Sequence, residues 1–138
     1  MLALLDDVVA IIEVETNGTI APHPALAARV DQWNVSPKLE HSGNPRSRRW
    51  QPASLRAFRD TGRAHLKFVI QQASDLIEVT MLLDDLAWPR ERVLLMAQGS
   101  TRSEYEPRAR EVEELCRQRG LRFSPRLHVS LWDGQRGR

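Results

Sequence analysis

The chain is poor in cysteine, with Cys116 alone among 138 residues. The chain by itself can therefore form neither an intrachain disulfide nor a metal site built only of cysteines. The histidines show no metal-ligand spacing with a carboxylate or with Cys116, so we predict no metal site. Cys116 shares one predicted helix face with Tyr105 and Val112, and this pattern predicts a buried thiol.

Long apolar runs are also missing from the sequence. No run approaches the roughly 20 apolar residues that are needed to cross a bilayer. Asp6 and Asp7 closely follow Met1, where a secretory signal would begin with basic residues. We therefore expect a cytoplasmic protein with no membrane partner. The content of 41% apolar and 28% charged residues is typical of a globular protein, here one domain over residues 1–138.

Charge of one sign is not in large excess, since 20 Lys and Arg face 18 Asp and Glu. The basic cluster 46–50 lies in a stretch rich in proline, glycine and serine and is typical of a solvated loop, so we predict no nucleic acid partner. Lysine itself is rare, with Lys38 and Lys67 alone among the 20 basic residues. Both lie in or beside apolar runs, which favours contact of their ammonium groups with a carboxylate or a ligand. A coding bias toward arginine is the plainer explanation.

Apolar runs alternate with helical patterns along the whole chain. A buried strand is predicted over residues 9–15 and further strands over 32–36, 66–70 and 92–96, followed by an extended segment over 122–132. Helices are predicted after Pro22, over 52–62, over 74–86 with Ser74 as its cap, and over 101–120, whereas 1–8 is typical of a helix end and 41–50 of a loop. This order predicts an α/β fold with a mostly parallel sheet flanked by helices, either open or part of a barrel. Five strands are too few to close an eight-stranded barrel.

Polar side chains follow or lie within the predicted strands. The carboxyl ends of parallel strands meet at one edge, where ligands usually bind, and they would bring together Glu15, Asn17, Ser36, Lys38, Gln98, Arg126 and His128. An interior Lys67 would need a carboxylate nearby, and Glu13 and Glu15 share one strand face. Plainer interpretations are a turn at Asn17, a strand end at 36–38 and a core or rim histidine at 128. The residues alone predict a mixed-charge pocket for a small polar ligand.

Five segments in order, 14–19, 35–38, 66–69, 93–99 and 122–128, carry a resemblance to a known family. Together they resemble 7-carboxy-7-deazaguanine synthase, a radical S-adenosylmethionine enzyme of queuosine and deazapurine biosynthesis. The resemblance implies a partial (β/α) barrel. It also implies ring contraction of 6-carboxy-5,6,7,8-tetrahydropterin to 7-carboxy-7-deazaguanine with loss of ammonia. The implied cofactors are S-adenosylmethionine, a [4Fe-4S] cluster and Mg²⁺.

The resemblance also implies roles for single residues. Glu15 would face the active site as the catalytic carboxylate. S-adenosylmethionine would contact residues at three strand ends, namely Asn17, Ser36, Pro37, Lys38 and Gln98. His128 and Lys67 would approach the pterin substrate.

The chain departs from the family because it lacks the three clustered cysteines and the Gly-Gly-Glu-Pro element. Cys116 cannot replace three thiolates. We therefore expect the carboxyl-terminal part of such an enzyme, inactive alone, with a complementary amino-terminal half as partner and an exposed sheet edge beside residues 9–15. Three alternatives stay open: a non-catalytic binding remnant, half of another radical enzyme such as an activase, and a homodimer.

Overall fold

The computed structural model describes residues 11–133 and residue 135. The predicted helix end at 1–8 and the first two residues of the predicted strand 9–15 lie outside them. The described residues form one five-stranded sheet, all parallel, with its strands in chain order. The strands are β1 (Glu13–Thr16), β2 (Gln32–Val35), β3 (Ala64–Ile70), β4 (Val93–Ala97) and β5 (Arg122–Phe123). The predicted α/β class is confirmed.

Helices lie between successive strands and after the last one. They are α1 (Pro24–Ala27), α2 (Arg46–Arg49), α3 (Pro52–Asp60), α4 (Asp75–Leu86), α5 (Arg102–Arg119) and α6 (Leu127–Trp132), with 3-10 turns at Glu40–Ser42 and Arg90–Arg92. In this part of the chain, no helix is both long enough and apolar enough to cross a bilayer.

Two predicted segments are wrong. The predicted loop 41–50 contains the end of a 3-10 turn and α2. The predicted extended segment 122–132 is a two-residue strand followed by α6. The alternation of Leu127, Val129 and Leu131 with polar residues is a strand pattern, but in the structure Val129 alone enters the core while Leu127 and Leu131 are exposed. His128 therefore lies on a helix.

One face of the sheet carries the core. Alternate residues of β3 and β4 are fully buried, among them Phe68 and Leu95, and the helices add Leu55 and Phe58. The Phe58 ring meets Trp33 edge-on with centroids 5.1 Å apart. Right-handed crossovers between strands in chain order place their helices on one side of the sheet. The described sheet is therefore a segment of a barrel that is not closed, as expected, and not a doubly wound sheet.

β1 is the edge strand of the described sheet, because β2 is its only neighbour there. That this edge is exposed in the whole protein stays a prediction. The prediction of a buried strand is wrong for Glu13–Thr16, where exposed and half-buried residues alternate. A strand with one neighbour and no helix over its second face leaves every other side chain in solvent.

The predicted ends of α5 are confirmed. Thr101 Oγ1 accepts a hydrogen bond from Glu104 N at 3.4 Å, and Gly120 ends the helix with φ of +65°. Ser74 precedes α4, but its side chain makes no cap hydrogen bond. Asp75, the first residue of α4, instead holds the preceding loop, since its Oδ2 accepts from Gln71 N at 2.7 Å.

Many arginines donate hydrogen bonds to backbone carbonyls far away in the sequence. The donor and acceptor residues are Arg56 and Asp85, Arg59 and Leu86, Arg63 and Ala27, Arg92 and Gly62, Arg108 and Gln98, and Arg126 and Gly99. Several of these carbonyls lie at or just beyond the end of a helix or strand, where the backbone lacks its regular partner.

Candidate functional site

None of the buried core residues of the described strands lies on the second face of the sheet. The part of this face nearer β1 is polar. Its side chains alternate with the buried ones on each strand, so that Glu15, Asn34 and His65 stand side by side in register. Lys67 lies two residues farther along β3 on this same face. Val69 and Met96 form an apolar, half-buried strip beside it. Parallel sheets are normally covered on both faces, so the open face is a candidate ligand surface.

Glu15 and Lys67 form an ion pair across the open face. Lys67 Nζ lies 3.3 Å from both Glu15 Oε1 and Glu15 Oε2, so the pair connects β3 to β1 over β2. The Lys67 side chain is 23% exposed and the Glu15 side chain 65%. The expectation that Lys67 meets a carboxylate is confirmed, and one side of that carboxylate faces solvent.

Ser36 joins the ends of β1 and β2 to the middle of β3 beside this pair. Its backbone N–H donates to Thr16 O at 2.7 Å, and its hydroxyl donates to Lys67 O at 2.9 Å. Pro37 is buried, whereas Lys38 is exposed. No residue in the described part of the chain bonds Lys38 Nζ, but Arg49 Nη1 lies 3.5 Å from the Lys38 carbonyl oxygen. The predicted segment 36–38 therefore has a fixed backbone and a free ammonium group.

Asn17 shapes the turn after β1. Its Oδ1 accepts from Thr19 N at 3.0 Å and from Thr19 Oγ1 at 2.8 Å, so the exposed Asn17 side chain is used within the turn. Gly18 follows with φ of +75°, and a Cβ there would lie 2.6 Å from Leu55 Cδ2 and 2.7 Å from Val35 Cγ1. Only glycine fits this turn against the core.

The remaining predicted residues lie elsewhere. Gln98 is half-buried just beyond β4, where its N–H donates to Ile70 O at 2.8 Å. His128 is exposed on α6. No hydrogen bond or ion pair between described residues joins either side chain to Glu15 or Lys67. The structure thus brings Glu15, Ser36 and Lys67 together, and no hydrogen bond or ion pair of the described residues adds Gln98 or His128 to them.

The sequence reasoning did not single out His65 or Asn34, which also lie on the open face. Asn34 Nδ2 lies 3.4 Å from Glu13 Oε2. His65 Nδ1 is buried and has no partner among the described residues. Burial, and secondarily the positive charge of Arg122, lowers the pKa of His65 below 6.5. Strict alternation from Lys67 would have placed His65 on this face.

The residues present do not fit an iron–sulfur cluster. Cys116 is the only cysteine of the chain, it is 2% exposed within the core, and burial raises the pKa of its thiol to about 11. Cluster irons are held by several thiolates. Between residues 11 and 133, no group of three metal-ligating His, Cys, Asp or Glu side chains occurs either. We therefore derive no reaction step through a cluster or a metal.

Comparisons with known proteins give one consistent result. No protein-family model matches the chain. A protein of Halobacterium salinarum is 35% identical over 156 residues, covering 96% of this chain and 59% of the relative. A protein of Pyrobaculum aerophilum is 34% identical over 127 residues, covering 92% and 54%. A protein of Rhodopirellula baltica is 26% identical over 138 residues, covering 91% and 52%.

All three relatives are named 7-carboxy-7-deazaguanine synthase. The expected resemblance is confirmed, and the chain spans about half the length of the curated relatives it matches. This protein is thus similar to the 7-carboxy-7-deazaguanine synthases over nearly all of its own length.

Proposed function

We propose that this chain is the carboxyl-terminal part of a 7-carboxy-7-deazaguanine synthase-like enzyme and is inactive alone. The enzyme would convert 6-carboxy-5,6,7,8-tetrahydropterin to 7-carboxy-7-deazaguanine with loss of ammonia. The observation that carries this proposal is the Glu15–Lys67 pair on the open face of a parallel sheet whose other face alone is covered by the described residues. The similarity to the three named synthases supports the same conclusion.

The open face suits a flat, polar heterocycle. The Glu15 side chain is 65% exposed, so its carboxylate can accept hydrogen bonds from the N–H groups of a ring. Lys67 Nζ binds the same carboxylate at 3.3 Å. Val69 and Met96 provide apolar surface for the face of the ring. Small-molecule sites combine such apolar walls with few polar groups of fixed position. In the proposed enzyme, Glu15 and Lys67 bind and orient the pterin, and His128 joins them only if α6 moves toward the face.

The segments after β1, β2 and β4 would hold S-adenosylmethionine. Ser36 fixes the ends of β1 and β2 relative to each other through the Thr16 carbonyl, and it ties them to β3 through the Lys67 carbonyl. Lys38 and Asn17 are exposed there. S-adenosylmethionine supplies the radical in this family, and the cysteines for its cluster would come from a complementary amino-terminal half. This partner is part of the proposal.

Co-expression with the amino-terminal half of the Halobacterium salinarum relative tests the proposal. After anaerobic reconstitution with iron and sulfide, product formation is measured by mass spectrometry. We expect product from the two halves together and none from either alone. Glu15→Gln and Lys67→Met should each lower the rate about 10- to 100-fold, the usual effect of losing a hydrogen bond to a charged group.

The matched control is Arg117→Met, which removes an exposed cation that pairs with Glu114 on α5, away from the open face. It should keep the full rate of the two-part enzyme. Product from this chain alone would contradict inactivity, and full activity of both Glu15→Gln and Lys67→Met would contradict the site. Complete lack of product, with the halves associated and the cluster present, would favour a binding remnant.

A further inference from the structure

A cavity lies at the carboxyl end of β4, where the chain turns into α5. It has a volume of about 420 Å³, within the usual range of small-molecule pockets. Its lining residues are Gln98, Gly99, Ser100, Glu104, Arg108 and Arg126. They come from the β4–α5 loop, the first two turns of α5 and the segment before α6.

Two guanidinium groups are held in fixed positions in this cavity. Arg108 Nη1 donates to Gln98 O at 2.7 Å, and Arg126 Nη1 donates to Gly99 O at 2.8 Å. The Arg126 backbone N–H also donates to the Tyr105 hydroxyl at 2.8 Å, which anchors its main chain to α5. These side chains are therefore ordered before any ligand binds. Much of the conformational entropy that their ordering costs is already lost in the free protein.

Most donors of these two guanidiniums remain unused. Each guanidinium carries five N–H donors, and within residues 11–133 each makes one hydrogen bond, the bond to its carbonyl. Arg126 Nε is buried and has no partner there. A buried donor without a partner is rare in folded proteins because it costs free energy. A ligand with acceptor oxygens would satisfy these donors.

The charges around the cavity also favour an anion. Arg49 on α2 pairs with Glu78, whereas no carboxylate among the described residues forms an ion pair with Arg108 or Arg126. Glu104 also lines the cavity, but its Oε2 accepts from Ser100 N at 3.1 Å and from Ser100 Oγ at 2.9 Å. Two guanidiniums and one carboxylate leave the cavity with a net positive charge.

Two backbone N–H groups at the N-terminus of α5 already have acceptors and are not free to bind an anion. Arg102 N already donates to Asp133 Oδ1 at 2.5 Å, and Glu104 N donates to Thr101 Oγ1. The free charged donors of the cavity therefore belong to Arg108 and Arg126. Planar guanidiniums bind two oxygens of one carboxylate or phosphate group side by side.

We propose that this cavity is an oxyanion-binding site in which Arg108 and Arg126 hold a carboxylate or monoanionic phosphate group of a small ligand. The cavity shares Gln98 with the segment that the proposed function assigns to S-adenosylmethionine, but the oxyanion site rests on Arg108 and Arg126, and its test needs neither a cluster nor a partner chain. It lies beyond β4, apart from the Glu15–Lys67 pair on the open face.

Binding can be followed in the full chain by the NMR signals of the arginine Nε–H groups. Inorganic phosphate and acetate are the two probes, each titrated against sodium chloride of equal ionic strength. We expect saturable shifts of the Arg108 and Arg126 signals with one or both probes and none with chloride. Phosphate alone would indicate a phosphate ester as the ligand, and acetate alone a carboxylate.

Arg108→Met and Arg110→Met form the decisive pair of variants. Arg110 is exposed and lies two residues farther along α5, so its loss changes the net charge equally. Arg108→Met should weaken probe binding at least about 10-fold, as loss of a charged hydrogen bond predicts, while Arg110→Met binds as the wild type. Arg108→Lys keeps the charge without the planar fork and should bind with intermediate strength. Equal binding by Arg108→Met and Arg110→Met, or shifts that follow ionic strength alone, would overturn the site.

Discussion

Gly18→Ala should lower the free energy of unfolding by about 2–5 kcal/mol. The added Cβ would lie 2.6 Å from Leu55 Cδ2 and 2.7 Å from Val35 Cγ1, and both neighbours are fully buried. Overpacking of this kind costs about 1–3 kcal/mol. The left-handed φ of +75° adds roughly 1–2 kcal/mol for any residue with a Cβ.

Gly62→Ala is the matched control. Gly62 has a φ of +69° and no atom within 4 Å of the position of a Cβ, so only the backbone cost of roughly 1–2 kcal/mol applies. Urea denaturation followed by tryptophan fluorescence compares the two variants. With an m value of about 2 kcal/mol/M, the midpoint of Gly18→Ala should lie about 0.5–1.5 M below that of Gly62→Ala. Equal midpoints would show that the turn moves away from the core at little cost, and the steric argument would be refuted.

Three further predictions concern charged and reactive groups. Lys67→Met should lower the free energy of unfolding in urea by less than about 1 kcal/mol, because its partner Glu15 is 65% exposed; a larger loss would show that the pair is structural. His65 should titrate below pH 6.5 by NMR, and because it then binds its proton less readily when folded, its contribution to stability should be lost as pH falls below about 6.5. Arg122→Gln should raise this pKa, and an unchanged value would contradict the charge effect. The Cys116 thiol, with its pKa raised to about 11, should resist Ellman's reagent in the native protein and react in urea.

The sequence predicted the parts of the fold that depend on local pattern. The apolar spacing of 74–86 and the Thr101 cap are local signals, and α4 and α5 begin and end close to their predicted bounds. The scarcity of lysine also led to a correct expectation, the carboxylate partner of Lys67. In each case a few neighbouring residues, or one unusual residue type in a strand, contained the information.

Other features depend on contacts between distant segments, and the sequence pattern did not contain them. The alternating apolar residues of 127–132 favour a strand, yet the segment forms α6 and buries Val129 alone among them. In the sequence, nothing distinguishes Arg108 and Arg126 from the exposed Arg110. Their distinction arises only because the carbonyls of Gln98 and Gly99 lie within their reach.

The order of the strands has a consequence for how the chain reaches this structure. Each described strand after β1 pairs with the strand that precedes it in the chain, so every pairing joins neighbouring strands, with partner residues 19 to 31 positions apart. Folding rates rise as contacts become more local, and synthesis at about 5–20 residues per second delivers the strands one at a time. Each new strand and helix can therefore dock on a surface already formed while the ribosome is still making the next unit.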